Sequence, residues 1–342
     1  MNIFAVETSC DETAVAIMRN GREQLSSELF SQADMHAMYG GVVPEIASRN
    51  HAAVIGRLSD LAIKNAGITK QDIDAVAVTY TPGLIGALLV GVNFAKGLAM
   101  ALNVPLIPVH HIRGHIAANY IAYPGLEPPF LSVIVSGSNS LITDVRGYTD
   151  IVIIGRSRDD AAGECFDKIA RLIGLGYPGG PALDKLAQSG DDLLYSLPSP
   201  VIEDSPYDMS FSGLKTAVVN FVHNAEQKGE ALDTASLAAS FSRTVSSILV
   251  PRVMAAAAQL RYNKIAVAGG VAANSRIRAD FIKAAIAENH TLFIPPLTLC
   301  GDNAAMIGCQ GYYEYKAGVK AGMNLDAYAT MDLDKVPGIW EV

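Results

Sequence analysis

Ile3-Phe4-Ala5-Val6-Glu7-Thr8-Ser9-Cys10-Asp11-Glu12-Thr13 begins a pattern that Phe130-Leu131-Ser132-Val133-Ile134-Val135-Ser136-Gly137-Ser138-Asn139-Ser140 begins again. In each, a short apolar run reads as a buried strand and a small polar turn carries the chain into a second strand, residues 14–18 in the first case and 141–145 in the second. A third strand follows each pair, residues 23–30 after the hairpin signal Asn20-Gly21 and residues 151–155 after Arg146-Gly147-Tyr148. Val6 and Val135 take equivalent places about 129 residues apart, so the chain reads as an internal structural repeat. Two similar α/β domains with a ligand cleft between them are the expected architecture.

Working outward, Pro44 and Glu45 open a helix that runs through Arg49, His51 and Leu61. Residues 73–78 read as a strand, residues 80–86 as a Gly-rich loop, residues 87–102 as an apolar helix and residues 105–109 as another strand. In the second half a helix is expected over 160–172, then a Gly/Pro-rich segment over 174–181 and an irregular insertion to about 212. A long helical region over 234–259 leads to a strand at 264–268, a Gly-rich turn at 269–274 and a last strand at 291–294. A helix begins after Asp302, and the tail from 324 reads as irregular. The expected domains are 1–128 and 129–302, with an insertion at about 174–232. Residues 303–320 would pack back on the first domain, and 324–342 would form the tail.

Half of the 342 residues are apolar, enough for a large core. The net charge of −8 gives no general attraction for nucleic acid, so a polyanionic partner requires a local basic patch or a helper protein. The densest basic cluster is Arg156, Arg158, Lys168 and Arg171, set among acids. Cys10, Cys165, Cys300 and Cys309 form no CxxC pair, which fits a reducing compartment. The chain starts Met1-Asn2-Ile3-Phe4 without a basic leader, and residues 87–109 are interrupted by Asn93, Lys96, Asn103 and Pro105. These features are read as cytoplasmic, with no membrane and no DNA partner.

Chemistry concentrates in His110-His111-Ile112-Arg113-Gly114-His115. On a helix the i, i+4 spacing sets His111 and His115 on one face, half of a metal site, and Asp302 at the start of the last helix is the candidate carboxylate. Ordinary surface or core histidines are the competing reading. The loops 7–13 and 136–140 suit phosphate, and Gly269-Gly270 followed by Asn274 suits a nucleotide, although each also serves as a simple turn. Asp167 and Asp184 are candidate ribose ligands. Asp11 and Glu12 are candidate acid/base groups, and Lys215 is a candidate phosphate contact. A zinc protease is disfavoured, because His111 is followed by Ile112 where H-E-x-x-H requires Glu.

Glu7-Thr8-Ser9-Cys10-Asp11-Glu12-Thr13, Gly40-Gly41-Val42-Val43-Pro44-Glu45, Pro82-Gly83-Leu84-Ile85-Gly86-Ala87-Leu88, His110 to His115, Asp160-Ala161-Ala162-Gly163-Glu164, Tyr177-Pro178-Gly179-Gly180-Pro181, Ser210-Phe211-Ser212-Gly213-Leu214-Lys215 and Ala268-Gly269-Gly270-Val271 occur in order over nearly the full chain. Together they resemble the TsaD family of tRNA N6-adenosine threonylcarbamoyltransferases, the bacterial Gcp/YgjD type. The resemblance implies a duplicated actin-like (ASKHA, ribonuclease H-like) fold. It implies transfer of a threonylcarbamoyl group from threonylcarbamoyl-adenylate to N6 of the adenosine next to the anticodon, in tRNAs reading codons that begin with A.

It further implies that His111, His115 and Asp302 hold one divalent metal, Fe with Zn or Mg as alternatives. Val135, Ser136, Gly137, Ser138, Asn139, Asp167, Gly180, Asp184 and Asn274, with Gly269 and Gly270, would hold the adenylate or ATP/ADP. The implied partners are tRNA, a TsaB-like actin-fold subunit and a TsaE-like small ATPase. Two positions depart from the family pattern. Ser138-Asn139-Ser140 replaces Gly-His-Thr, and Arg113 replaces the Glu of His-x-Glu-Gly-His. A nucleotide-binding member without transfer, and an actin-fold ATPase or kinase, are therefore the alternative readings.

Overall fold

The computed structural model describes residues 1–200 and 202–336, and these group into two compact units. The first comprises Met1–Pro128, Arg146–Val152 and Pro295–Val342. Its strands are β1 (Asn2–Glu7), β2 (Glu12–Arg19), β3 (Glu23–Ser31), β4 (Ala75–Thr81) and β5 (Leu106–His110), and its helices in this part of the chain are α1 (Ala33–Ala37), α2 (Pro44–Asn65), α3 (Ile85–Leu102) and α4 (His111–Ala122). The sheet order is β3-β2-β1-β4-β5, with β1 antiparallel to β2 and parallel to β4, and β5 parallel to β4. Asn20 and Gly21 take positive φ at the β2–β3 turn, as the hairpin signal requires.

β1 and β4 are apolar almost throughout because helices cover both faces of the sheet. On one face Phe4, Val6, Ile17, Val76 and Val78 meet Ile55 of α2 and Leu88, Val92 and Ala95 of α3. Among the described residues only α3 is long and apolar enough to cross a membrane; a third of it is buried, and it packs on β4 and α2. The helix expected from Pro44 starts there, with Pro in the first turn. The five-residue α1 has no apolar period and gave no signal in the sequence.

The second unit comprises Pro129–Val145 and Ile153–Ile294. Its sheet is formed by β6 (Phe130–Val135), β7 (Ser140–Val145), β8 (Ile151–Arg156, of which Ile153 onward falls in this unit), β9 (Lys264–Ala268) and β10 (Thr291–Phe293), in the order β10-β9-β6-β7-β8. With β6 in the place of β1, this is the order of the first sheet, and the antiparallel β6–β7 and parallel β6–β9 pairs repeat those around β1. The helices are α5 (Ala162–Leu172), α6 (Gly179–Ala187), α7 (Ser212–Lys228), α8 (Thr234–Leu260) and α9 (Ser275–Ala287). The stretch read as Gly/Pro-rich and irregular thus contains α6. Its start is set by Asp167, whose Oδ1 accepts the free N–H groups of Gly179 and Gly180, both at 3.0 Å.

The last helix, α10 (Ala304–Lys316), belongs to the first unit and packs on β1, β2 and α4. Small residues permit this. A Cβ on Gly308 would lie 2.6 Å from Met18 Cγ, and one on Gly311 2.6 Å from Ala77 Cβ. The described segment after α10 holds one short 3-10 turn, Leu333–Lys335, and is fastened in place. Ala321 N donates to Leu106 O, Tyr328 N to Tyr80 O, and Gly83 N to Ala329 O, while Leu325 and Ala327 are buried. The part of the expected tail at 337–342, and residue 201 of the expected insertion, lie outside the described residues.

Gly269 is the most constrained turn position, with φ +90 and a hypothetical Cβ only 2.4 Å from Val135 O. Strain and overpacking then add. Gly269→Ala is predicted to lose about 2–4 kcal/mol of unfolding free energy, read by urea denaturation; a loss below about 0.5 kcal/mol would contradict the close approach of this turn to β6.

Candidate metal centre and nucleotide-binding residues

β1, β4 and β5 run parallel, and their carboxyl ends place Glu7, Thr79 and Thr81, and His110 at one end of the first sheet. α4 starts directly after β5, so His111 falls in its first turn and His115 one turn further on. The rings are 4.6 Å apart at 80°. Asp302 precedes α10, whose N-cap Asn303 accepts from Met306 N at 2.9 Å. Asp302 Oδ1 lies 3.3 Å from Nε2 of both His111 and His115. One ligand atom from each of the three residues falls within 4.8 Å of the others, a spacing at which a single cation can be held.

Glu7, to which the sequence reading gave no role, completes the arrangement. Its Oε2 is 2.9 Å from His111 Nδ1 and accepts from Thr79 Oγ1 at 2.6 Å, and its Oε1 accepts from Ser9 N at 2.5 Å. A buried carboxylate there accepts a hydrogen bond from Nδ1–H and leaves Nε2 facing Asp302. The only signal for it was an acid closing the apolar run of residues 3–6. His115 is fully enclosed, and neither of its ring nitrogens has a hydrogen-bond partner among the described residues. Two buried imidazole edges and a carboxylate converging in this way fit a divalent ion better than a closed polar network.

The electrostatics follow. Burial opposes ionisation of Asp302, but His111 and His115 outweigh it and hold the carboxyl well below its usual range. Burial likewise opposes charge on His111, and Asp302 and Glu7 overcome it, so its basicity is raised. For His115 burial prevails and basicity is lowered. Glu7 is held ionised against its burial, chiefly by His111.

Asp11 and Glu12 share a hydrogen bond. Burial, followed by the charges of Asp302 and Asp11, pushes the Glu12 carboxyl up to about 9. The loop that carries them is pinned by His51, whose Nε2 donates to Cys10 O at 2.9 Å while Nδ1 faces Thr13 Oγ1 at 2.7 Å. His51 thus serves the loop from α2. Arg113 is buried, with Nη1 2.8 Å from Glu314 Oε1.

In the second unit the structure brings the nucleotide candidates to the carboxyl ends of β6 and β9. The turn 136–139 is closed by Ser136 N donating to Asn139 O at 2.8 Å, and by Asn139 N donating to Ser136 Oγ. Asn139 Nδ2 donates to Ser138 Oγ. Gly163 of α5 and Gly269 both abut the end of β6, with Ser136 O and Val135 O each 2.4 Å from a hypothetical Cβ. Asp184 Oδ1 accepts from Ser275 N at 3.0 Å and Ser275 Oγ at 2.8 Å, and Asn274 Oδ1 caps α9 through Ile277 N.

Asp167, Asp184 and Asn274 therefore each hold a helix start or turn with one oxygen. Gly180 presents no bulk, with open space where its Cβ would be. Lys215, a candidate phosphate contact, is paired with Asp160, which Lys168 also approaches at 3.8 Å. Arg158 pairs with Asp204 and Asp208, so acids accompany much of the cluster over 156–171.

The raised Glu12 carboxyl has a direct consequence. Between about pH 4.5 and 9 the folded chain retains a proton that an unfolded glutamate releases, so this group lowers stability as pH rises through that window. In chelator-treated protein Glu12→Gln is predicted to remove that slope, which is at most about 1.4 kcal/mol per pH unit. Urea unfolding of both proteins at pH 6 and pH 8 reads the difference; parallel curves would contradict the burial of this carboxyl.

The family model described as TsaD, tRNA N6-adenosine threonylcarbamoyltransferase, matches residues 23–309. A protein of that name from Staphylococcus saprophyticus is 50% identical over 97% of this chain and 97% of its own length. Another from Clostridium botulinum is 47% identical over 97% and 98%. Among solved structures, component A of the Acidaminococcus fermentans (R)-2-hydroxyglutaryl-CoA dehydratase superposes with TM-score 0.54 at 17% identity, over 92% of this chain and 98% of that one, a likeness of fold. The two sheets of equal strand order are those of the actin-like fold, and the chain belongs to the TsaD family of tRNA N6-adenosine threonylcarbamoyltransferases.

Proposed function

We propose that this chain transfers the threonylcarbamoyl group of threonylcarbamoyl-adenylate to N6 of the adenosine next to the anticodon in tRNAs reading codons that begin with A. The observation that carries the reading is the match to threonylcarbamoyltransferases along nearly the whole chain, and the His111–His115–Asp302 cluster supports it as a site able to hold a metal. In the reaction, the N6 amine forms a bond to the carbamoyl carbon, the bond from that carbon to the phosphate oxygen breaks, and AMP leaves. The amine proton passes to a base.

His111, His115 and Asp302 would hold one divalent ion, and two imidazoles with one carboxylate suit iron or zinc better than magnesium. When bound, that ion supplies Lewis acidity toward an oxygen of the donor. Glu7 keeps His111 in the tautomer whose Nε2 is the ligand. Asp11, buried beside Glu12, is the base we favour, because Glu12 keeps its own proton to about pH 9. The turn 135–139, Gly180, Gly269 and Gly270 offer backbone at which an adenylate can approach closely. Asp167, Asp184 and Asn274, which build these turns, would lie at its polar edges.

A chain with net charge −8 fits a tRNA enzyme that works with partners, here a TsaB-like subunit and a TsaE-like ATPase. The tRNA acceptor and four free cysteines suit the cytoplasm.

The test is a single-turnover reaction of chain, threonylcarbamoyl-adenylate and unmodified tRNA, with and without the two partner proteins, reading the modified nucleoside by mass spectrometry. Modified adenosine is expected with the parent chain, and at least about 100-fold less with Asp302→Ala. Absence of product in every combination would overturn the transferase reading. Glu7→Gln is expected to weaken metal affinity about 10- to 100-fold, measured by competition with a chromogenic chelator, and unchanged affinity would remove Glu7 from the site.

A further inference from the structure

Arg113 stands between the two metal-site histidines in sequence and is buried on another side of α4. Its guanidinium Nη1 is 2.8 Å from Glu314 Oε1, and the two side chains are 8% and 2% exposed. The same Glu314 oxygen accepts from Gln310 Nε2 at 2.9 Å, and Gln310 in turn donates to Tyr148 O. Arg113 Nε is buried without an acceptor among the described residues, and Glu314 is the carboxylate paired with the guanidinium. We infer that the Arg113–Glu314 ion pair is a positioning device for the metal centre, setting α4, which carries His111 and His115, in register with α10, which begins two residues after Asp302. The inference rests on the metal reading above.

The pair acts on register rather than on stability. A buried ion pair stabilises little compared with an apolar pair of the same volume, but neither charge tolerates losing the other. Packing between α4 and α10 shares in setting that register. Gly114 lies against Met306 and Ile307, where a Cβ would lie 2.7 Å from Ile307 Cδ1, and the Tyr120 ring meets Tyr313 edge-on with centroids 5.5 Å apart. At the histidine end of the contact the aliphatic side chains can re-pack after a small shift, whereas a guanidinium held by one carboxylate fixes a single distance between the two helices. A shift of α4 along α10 moves both imidazoles together relative to Asp302, whose Oδ1 is now equidistant from their Nε2 atoms.

Cobalt(II) titration tests this, reading affinity and the d–d absorption bands, alongside thermal melting of the chelator-treated proteins. Arg113→Met with Glu314→Met replaces the pair by apolar side chains. It is expected to melt close to the parent and to bind cobalt about 10-fold more weakly, with altered bands. Arg113→Glu with Glu314→Arg restores the pair in reverse, with the Gln310 amide free to turn its unpartnered oxygen to the new guanidinium, and is expected to recover affinity and spectrum. Should the Met pair not fold, Arg113→Lys retains the charge without the planar fork and is expected to bind cobalt about 3-fold more weakly.

Cobalt affinity and bands equal to the parent in the Met pair, or in Arg113→Lys where the Met pair does not fold, would overturn the positioning role. So would a charge reversal that melts like the parent but binds no better than the Met pair. Failure of the parent itself to bind cobalt would instead overturn the metal reading, and is distinguishable because it appears without any substitution.

Discussion

The hydrogen bond between Glu7 and His111, 2.9 Å long and fully enclosed, is the interaction on which the rest of the first unit depends. It joins the end of β1 to the start of α4, and Thr79 of β4 donates to the same carboxylate. An ionised carboxylate at the centre of an apolar sheet is admissible only when it is surrounded by donors, and here Ser9 N, Thr79 Oγ1 and the imidazole supply them. The arrangement fixes the ring that faces Asp302. It also uses the property that parallel strands share, since their carboxyl ends converge where loops can meet a ligand.

The second unit solves the same problem with backbone. Its sheet repeats the strand order of the first, yet the corresponding end is formed by small residues at the turns, Gly163 and Gly269 against the end of β6, and Gly179 against Asp167. Side chains that a ligand would meet are partly committed to building these turns. Asp167 holds the start of α6, Asp184 holds Ser275, and Asn274 caps α9. One set of polar groups thus shapes these turns without long side chains.

Much of this was legible in the sequence. The duplicated strand-turn-strand pattern is two short apolar runs with small polar turns at matching places, and both sheets follow it. The His pair at i, i+4 was readable because helical periodicity puts the two rings together. Asp302 was readable because Asn303 caps the helix that follows. Glu7 was not, because its role is created by β4 and α4, which meet it only after folding. The capping roles of Asp167 and Asp184 depend on residues 12 and 91 positions away, beyond any local pattern. Helix α6 was hidden by its glycines and proline, which signal turns when read locally and here lie in the first turn of a helix capped from α5. Arg113 likewise shows its partner only when α10 is in place.

The central claim is that His111, His115 and Asp302 form the coordination shell of a metal beside the loop carrying Asp11 and Glu12. Metal K-edge X-ray absorption of the iron- or zinc-loaded chain tests it most directly. The account predicts a first shell of nitrogen and oxygen near 2.0–2.2 Å, with multiple scattering from two imidazoles that falls to one in His115→Ala. A shell containing sulfur, or imidazole scattering unchanged by that substitution, would contradict it.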